Sequence, residues 1–113
     1  ITCRDWSSDV CSSDLKDQIT RSSLSIASNI AEGMSRTSVR EKLQFLNIAK
    51  GSCSELRTQV YIGAEIDYID PSTSKAWIEQ TKRIASMLSG LMKKLHEEKV
   101  GSQLCSGTRG AVL

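Results

Sequence analysis

The sequence contains little of what catalytic and metal-binding sites are usually made from. Its 113 residues include one histidine, one proline and seven glycines. The histidine, His96, has no cysteine or histidine at metal-ligand spacing, so no ligand set for structural zinc is present. No glycine-rich phosphate loop follows a strand pattern, and no nucleophile has an identifiable base. We therefore expect a protein that is not an enzyme, needs no cofactor and takes no small-molecule substrate.

Long apolar runs and a cysteine framework are absent as well. No segment approaches the roughly 18 consecutive apolar residues that a membrane-spanning helix requires. The N-terminus has no cationic segment followed by an apolar stretch, which a secretory signal would show. Of the four cysteines, three lie in the two flanks and Cys53 lies on an apolar helix face, so a disulfide framework is not expected. The prediction is a cytoplasmic protein with reduced thiols and no membrane contact.

The two ends of the chain differ from its middle. Residues 5–15 contain four serines and three aspartates without a helical or strand period, and they resemble the translation of a sequencing-library adapter. We therefore set residues 1–15 aside as non-native; the alternative is a polar tail that caps the helix after it. Residues 101–113 contain three glycines and no amphipathic stripe, which predicts a flexible tail. Residues 16–100 are expected to form one helical domain.

Three amphipathic helices are predicted between these ends. The first runs from about Lys16 to Glu32, and Gly33 directly after it suits a left-handed C-cap. Its apolar residues recur at spacings of three and four, which places them on one helix face. That face consists of Ile19, Ser23, Ile26, Ile30 and Met34.

The second predicted helix has the strongest periodic pattern. Ser38 and Glu41 match a capping box, in which the two side chains bond each other's backbone amides. The helix runs to Ile66, a length of about 43 Å at 1.5 Å per residue. Its main stripe is unbroken and consists of Val39, Leu43, Leu46, Ala49, Cys53, Leu56, Val60 and Gly63. A partial second stripe predicts neighbours on two sides of this helix and consists of Phe45, Ile48, Ile62 and Ile66.

The third predicted helix begins where Asp70 and Pro71 supply an N-cap and a first-turn proline. It runs to about Glu98, about 42 Å, and the short connection before it makes the second and third helices an antiparallel hairpin. The first helix is only about 25 Å long and leaves apolar surface on its partners uncovered. Either a fourth helix precedes Lys16 or other copies of the chain cover that surface. The chain begins without methionine, which favours a missing first helix.

Four residues inside the helices are interpreted as determinants of packing rather than of catalysis. Asn29 lies beside the first apolar stripe, where its amide could bond across a helix interface, and Glu32 could hold the turn or pair with Arg36. Gly51 and Ser52 interrupt the centre of the second helix, where glycine costs about 1 kcal/mol relative to alanine. A close helix crossing at these small residues would compensate for that cost.

Two segments of this pattern resemble a known family. One reads S-I-A-S-N-I-A-E-G from Ser25 to Gly33, and the other reads F-L-N-I-A-K-G-S-C-S-E-L from Phe45 to Leu56. The residues that accompany them are Gln18, Ile19 and Arg21 before the first segment, and Arg36 and Ser38 between the two. Over residues 18–95 the chain resembles the four-helix bundle proteins encoded within intervening sequences of bacterial 23S ribosomal RNA genes. It also resembles the accessory proteins of diversity-generating retroelements, which share that architecture.

The resemblance implies an all-α fold, an up-down antiparallel four-helix bundle that is here truncated to three helices because the first is missing. It also implies a homo-oligomer, often a pentameric ring, and a basic surface that engages RNA and a reverse transcriptase. Three positions depart from the family pattern: Ala27 stands in place of a proline, Thr20 in place of a basic residue, and Asp67 in place of a turn glycine. The change at Thr20 removes positive charge and slightly weakens the nucleic-acid interpretation.

Basic residues are the candidates for contact with nucleic acid. Residues 16–113 hold 14 basic and 10 acidic residues, and these charges, repeated around an oligomer, could give salt-sensitive, sequence-independent phosphate binding. No aromatic stacking platform accompanies them, so recognition of backbone or shape is expected. The alternative is a protein-interaction scaffold whose basic residues serve only solubility. The candidate contacts are Arg21, Arg36, Arg40, Lys42, Lys50 and Arg57, and a second basic group consists of Lys82, Arg83, Lys93 and Lys94.

Overall fold

The computed structural model describes the backbone of residues 8–112 and the side chains of residues 14–101. This part of the chain forms three helices, α1 (Ser8–Ser35), α2 (Val39–Glu65) and α3 (Pro71–Val112), and contains no strand. The connections are only three and five residues long, so consecutive helices run antiparallel. The predicted all-α fold with up-down antiparallel helices is thereby confirmed for the described residues.

The first helix is longer than predicted, because it begins at Ser8 rather than Lys16 and ends at Ser35 rather than Glu32. Gly33 therefore lies inside its last turn, and its backbone is not left-handed. The amide of Arg36 donates to the Gly33 carbonyl at 3.2 Å, which closes the helix end. The predicted left-handed C-cap at Gly33 is wrong. The position needs glycine for a different reason, since a Cβ there would lie 2.9 Å from the Cβ of Phe45 on α2.

The second helix begins and ends close to the predicted bounds. Ser38 occupies the N-cap position with extended backbone, φ −79° and ψ 129°, but its side chain makes no capping hydrogen bond, so the predicted capping box does not form. Glu41 lies in the first turn, where its negative charge favours the helix dipole. Beyond the C-terminus, Asp67 adopts a left-handed φ of 59°. The amide of Tyr68 then donates to the Gly63 carbonyl at 2.9 Å, which turns the chain back toward α3.

The third helix starts as predicted and extends further. The backbone amide of Ser72 donates to Asp70 Oδ2 at 3.2 Å, and the Ser72 hydroxyl donates to the same oxygen, so Asp70 caps the helix. The helix was expected to end near Glu98, before a flexible tail at residues 101–113, but its backbone is helical as far as Val112. Because Pro71 is the chain's one proline, no later residue lacks the amide hydrogen that a helix uses.

The core is organised around α2, which packs against α1 on one side and α3 on another, while α1 and α3 touch each other little. The main stripe predicted for α2 supplies the centre, because Leu46, Ala49, Cys53 and Val60 are completely buried. The larger cluster adds Ile26 from α1 and Leu88 and Leu95 from α3, and a smaller one consists of Val60, Ile69 and Ile78. This arrangement leaves the space between α1 and α3 open.

Candidate functional site

The seam between α1 and α2 explains the polar motif of the first helix. The hydroxyl oxygens of Ser25 and Ser52 lie 2.9 Å apart and join the two helices. Asn29 Nδ2 donates to the Ser25 carbonyl at 2.7 Å and to the Ser25 hydroxyl at 3.1 Å. The expected cross-helix bond of Asn29 is therefore wrong, because its amide bonds within α1. Asn29 instead holds Ser25, and Ser25 makes the contact with α2.

Gly51 and Ser52, the small residues at the centre of α2, have different surroundings. Ser52 is buried at the crossing with α1, whereas Gly51 is exposed and a Cβ added there would meet no atom within 4 Å. The predicted close crossing is thus confirmed at Ser52 and wrong at Gly51 within the described part of the chain. Consecutive helical residues point about 100° apart, so a packing position and an open position can be neighbours in sequence.

The Arg36 side chain contacts Glu32 of α1 and Phe45 of α2. Its Nη2 atom donates to Glu32 Oε1 at 2.5 Å, which is one of the two roles expected for Glu32. Its guanidinium carbon also lies 5.2 Å from the centroid of the Phe45 ring. The Arg36 and Glu32 side chains are 41% and 50% exposed, so solvent screens the pair and its contribution to stability is small.

Arg57 is engaged at the interface between α2 and α3. Its Nε donates to Thr81 Oγ1 at 3.3 Å, and the buried Thr81 hydroxyl donates to the Ile78 carbonyl at 2.7 Å. One turn away, burial raises the pKa of the Cys53 thiol, and the positive charge of Arg57 opposes that rise. Arg57 therefore contributes to the packing of α3, which makes it a poorer candidate for a nucleic-acid contact.

The other predicted contacts do not form one patch. Arg21, Arg40 and Lys50 are exposed, and Lys42 is half-buried beside the crossing of α1 and α2. Arg40 and Lys50 are ten residues apart on α2, so they lie about 80° apart around the helix axis. Lys42, Lys50 and Arg57 lie within about 80° of one another around α2, whereas Arg21 lies on α1 and Arg36 in the connection before α2.

A depression of about 770 Å³ between α2 and α3, here called the α2–α3 trough, collects basic residues that the sequence had separated. Lys50 of α2 lies there with Lys93 and His96 of α3. Sequence reasoning counted Lys93 in a second group and gave His96 no role. The sequence does not give the register of the antiparallel hairpin. The contact of Arg57 with Thr81 shows that register, and it places Lys50 of α2 opposite Ser89 of α3. The other lining residues are Leu43, Gln44, Asn47, Met92 and Glu97.

An apolar groove of about 530 Å³ lies between α1 and α3 and has Leu56 of α2 among its lining residues. Its exposed apolar side chains include Met87, which is 61% exposed, and Trp77, which is 40% exposed. Uncovered apolar surface was predicted from a short first helix, but that reason is wrong, because α1 has 28 residues and α2 has 27. The groove exists because α1 and α3 touch each other little. The remaining lining residues are Ile19, Ser23, Ile26, Ala27, Ile30, Gln80, Thr81 and Ile84.

A smaller depression of about 480 Å³ at the α2–α3 turn places two aromatic residues beside a basic one. Tyr68 and Trp77 line it with Lys16, and the acidic Asp70 lies in the same depression. The sequence had indicated no aromatic platform near the basic residues, and this one became visible only when the turn brought Tyr68 back toward α1.

The comparison with protein families decides what the chain is related to. A model of the 23S rRNA-intervening sequence protein family matches residues 2–90, which is more than half of the chain. The chain belongs to this family. The resemblance of Ser25–Gly33 and Phe45–Leu56 to the 23S rRNA-intervening sequence proteins is thereby confirmed. The matched range includes residues 2–15, and their non-native origin stays a prediction.

A solved structure supports the same fold for this member of the 23S rRNA-intervening sequence protein family. The crystal structure of a protein with unknown function from the S23 ribosomal protein family, from Bacteroides thetaiotaomicron VPI-5482, is 25% identical in sequence with a TM-score of 0.68. The similarity covers 70% of this chain and 73% of that chain. No protein of curated function matches the sequence.

The described part of this family member contains neither a metal-binding cluster nor a membrane-spanning helix. The side chains of residues 14–101 include no group of three or more histidine, cysteine, aspartate or glutamate residues that could hold a metal ion. Within residues 8–112, no helix combines the length and apolar character needed to cross a membrane.

Proposed function

We propose that this protein is a non-enzymatic, self-associating helical bundle that binds structured RNA through arginine and lysine side chains on its surface. One observation carries the proposal: its surface cations are largely free of carboxylate partners. Among the side chains of residues 14–101, the ion pair of Arg36 with Glu32 is the single one formed. Unpaired cations can replace the counterions of a phosphate backbone, and the release of those counterions drives binding.

The distribution of these cations favours recognition of backbone or shape. Arg21 on α1 and Arg40 and Lys50 on α2 are exposed, and a duplex or folded RNA presents phosphates over a wide surface. Contacts of this kind position a protein on nucleic acid without reading its sequence. Weak contacts that are repeated on several copies add up, because each further contact becomes intramolecular. We expect such binding to be salt-dependent and located in the cytoplasm.

Self-association is supported by apolar surface that the single chain leaves exposed. Ile48, Ile62 and Ile66 lie on one side of α2 and are 51%, 49% and 47% exposed. The groove between α1 and α3 exposes further apolar area on another side. We propose that copies of the chain cover such surface in a homo-oligomer, for which the family resemblance suggests a pentamer. A reverse transcriptase is the protein partner suggested by the likeness to retroelement accessory proteins.

An RNA titration at about 50 mM and about 200 mM salt tests the main proposal. Binding should weaken steeply with salt, and the double variant Arg21→Gln, Arg40→Gln should bind less tightly with a shallower salt dependence. Arg57→Gln is the control, because its bond to Thr81 predicts a larger effect on thermal stability than on RNA affinity. Failure of the unaltered protein to bind structured RNA or duplex RNA at low salt would refute the proposal.

A second function, a protein-interaction scaffold without nucleic-acid binding, is favoured by the apolar groove between α1 and α3. A groove bounded by two helices suits an amphipathic helix that inserts its apolar face. Sedimentation of the protein with and without RNA separates the two functions. A stable homo-oligomer that does not bind RNA at low salt would support the scaffold function, whereas an oligomer that binds RNA would support the main proposal.

A further inference from the structure

The α2–α3 trough brings cationic side chains from two helices into one volume. Lys50 comes from α2, and Lys93 and His96 come from α3. Lys93 and His96 are three residues apart and therefore lie on the same side of their helix. A ligand in the trough would meet ammonium groups from both walls, a geometry that neither helix offers alone.

The charge of the trough is only partly balanced. Neither Lys50 nor Lys93 forms an ion pair with any carboxylate among the described side chains. Glu97 is the one acidic residue among the lining residues, so the trough holds two lysines and one carboxylate. An excess of positive charge in a concave surface raises the local concentration of anions.

The remaining lining residues suit a sugar-phosphate chain better than a compact ion. Gln44, Asn47 and Ser89 add neutral hydrogen-bonding groups, while Leu43 and Met92 add apolar surface. The α2 side of the trough spans residues 43–50, about 10 Å along the helix. One strand of double-stranded DNA carries a phosphate about every 3.4 Å of helix axis, so a trough of this length can contact more than one phosphate of a strand.

We propose that the α2–α3 trough binds consecutive phosphate groups of an RNA backbone. Lys50 and Lys93 supply the charge, His96 supplies a ring N–H donor, and Glu97 limits the affinity. This inference rests on the proposed function and deepens it by giving RNA a defined site. It assigns Lys93 and His96 as RNA contacts. It gives Arg36 and Arg57 a smaller part in RNA binding, because both have partners within the protein.

Two charge-matched double variants test the site. Lys50→Gln with Lys93→Gln removes both trough lysines, and Lys16→Gln with Lys75→Gln removes two exposed lysines outside the trough. In titrations with duplex RNA, the trough variant should lose about tenfold or more in affinity, and the slope of log affinity against log salt should flatten by about 1.8. The control variant should change both much less. Circular dichroism should show equal helicity for the two proteins.

A gain in affinity provides an independent test, since misfolding cannot produce it. Glu97→Gln should raise RNA affinity about two- to fivefold, while Glu79→Gln, an equal charge change outside the trough, should have little effect. Equal losses of RNA affinity in the two lysine variants, or equal gains in the two glutamate variants, would show that the trough is not the RNA site. The proposal that the protein binds RNA would still stand. An unaltered protein that binds no RNA at low salt would overturn both proposals.

Discussion

The hydroxyl groups of Ser25 and Ser52, on two different helices, share a hydrogen bond of 2.9 Å. Asn29 donates a second hydrogen bond to the Ser25 hydroxyl, so that oxygen is held from within α1 and from α2. Small polar side chains therefore link α1 and α2 at this point. A second polar link lies further along the seam, where the Ser22 hydroxyl donates to Gln59 Oε1 at 2.9 Å.

Replacing Ser52 by alanine should destabilise the fold by about 1 kcal/mol, because the buried seam loses one hydrogen bond and leaves Ser25 without its partner on α2. Ser25→Ala should cost a similar amount. In urea denaturation, the double variant should lose less free energy of unfolding than the two single variants lose together, by about 0.5 kcal/mol or more. Strictly additive losses would show that the two hydroxyls do not interact.

Gly33 and Gly51 should respond in opposite ways to alanine. A Cβ at Gly33 would lie 2.9 Å from the Phe45 Cβ and 3.4 Å from the Lys42 carbonyl oxygen. Neither atom is the far end of a flexible side chain, so Gly33→Ala should destabilise the protein by about 1–3 kcal/mol. Gly51→Ala has open space and should stabilise by up to about 1 kcal/mol. Thermal unfolding of the two variants measures both effects, and a destabilising Gly51→Ala would indicate that another copy of the chain packs there.

The apolar groove should control self-association. Met87 lies in the groove and is 61% exposed, whereas Leu24 is 62% exposed and is not among the groove residues. Met87→Lys should weaken concentration-dependent association about tenfold or more, because the new charge would have to be desolvated in a buried contact. Leu24→Lys should leave association unchanged. Sedimentation velocity over a range of concentrations compares the two, and identical behaviour of both variants would contradict a role for the groove.

The N-cap of α3 should make stability depend on acid pH. The hydrogen bond from the Ser72 hydroxyl, helped by the amides of Thr73 and Ser72, lowers the pKa of the Asp70 carboxyl. The folded-state pKa is then below the unfolded value of about 3.9. These bonds therefore stabilise the fold fully above that value, and the contribution is lost as the pH falls through the folded-state pKa. The Tm difference between the unaltered protein and Asp70→Asn should narrow below about pH 4. A difference that stays constant across the acid range would contradict this role.

The helices themselves were predictable because their signals are local. The stripe that contains Leu46, Ala49, Cys53 and Val60 predicted the most deeply buried side of α2, and all four are buried. Asp70 predicted the start of α3 because an N-cap acts within one turn. Gly33 was assigned the wrong role, since both a left-handed cap and a close backbone approach favour glycine. Only the position of Phe45 on the next helix distinguishes the two.

The surfaces were not predictable to the same degree. Lys50 and Lys93 are 43 residues apart, and nothing near either residue indicates that they line one trough. Arg57 carries the same charge as Arg40, yet Arg57 bonds to Thr81 across a helix interface while Arg40 points to solvent. Charge and helical phase place a residue on one side of its own helix, but they do not say which helix lies opposite.

Periodicity, the N-cap at Asp70 and a long ordered match to its family were enough to establish an all-α bundle of antiparallel helices, because those properties depend on residues a few positions apart. The register and rotation of the helices decided everything that joins distant residues. That geometry covers α2 on two sides, opens the apolar groove between α1 and α3, and brings the walls of the α2–α3 trough together. Packing free energy depends on how whole helix faces fit, and that fit exists only in the assembled tertiary structure.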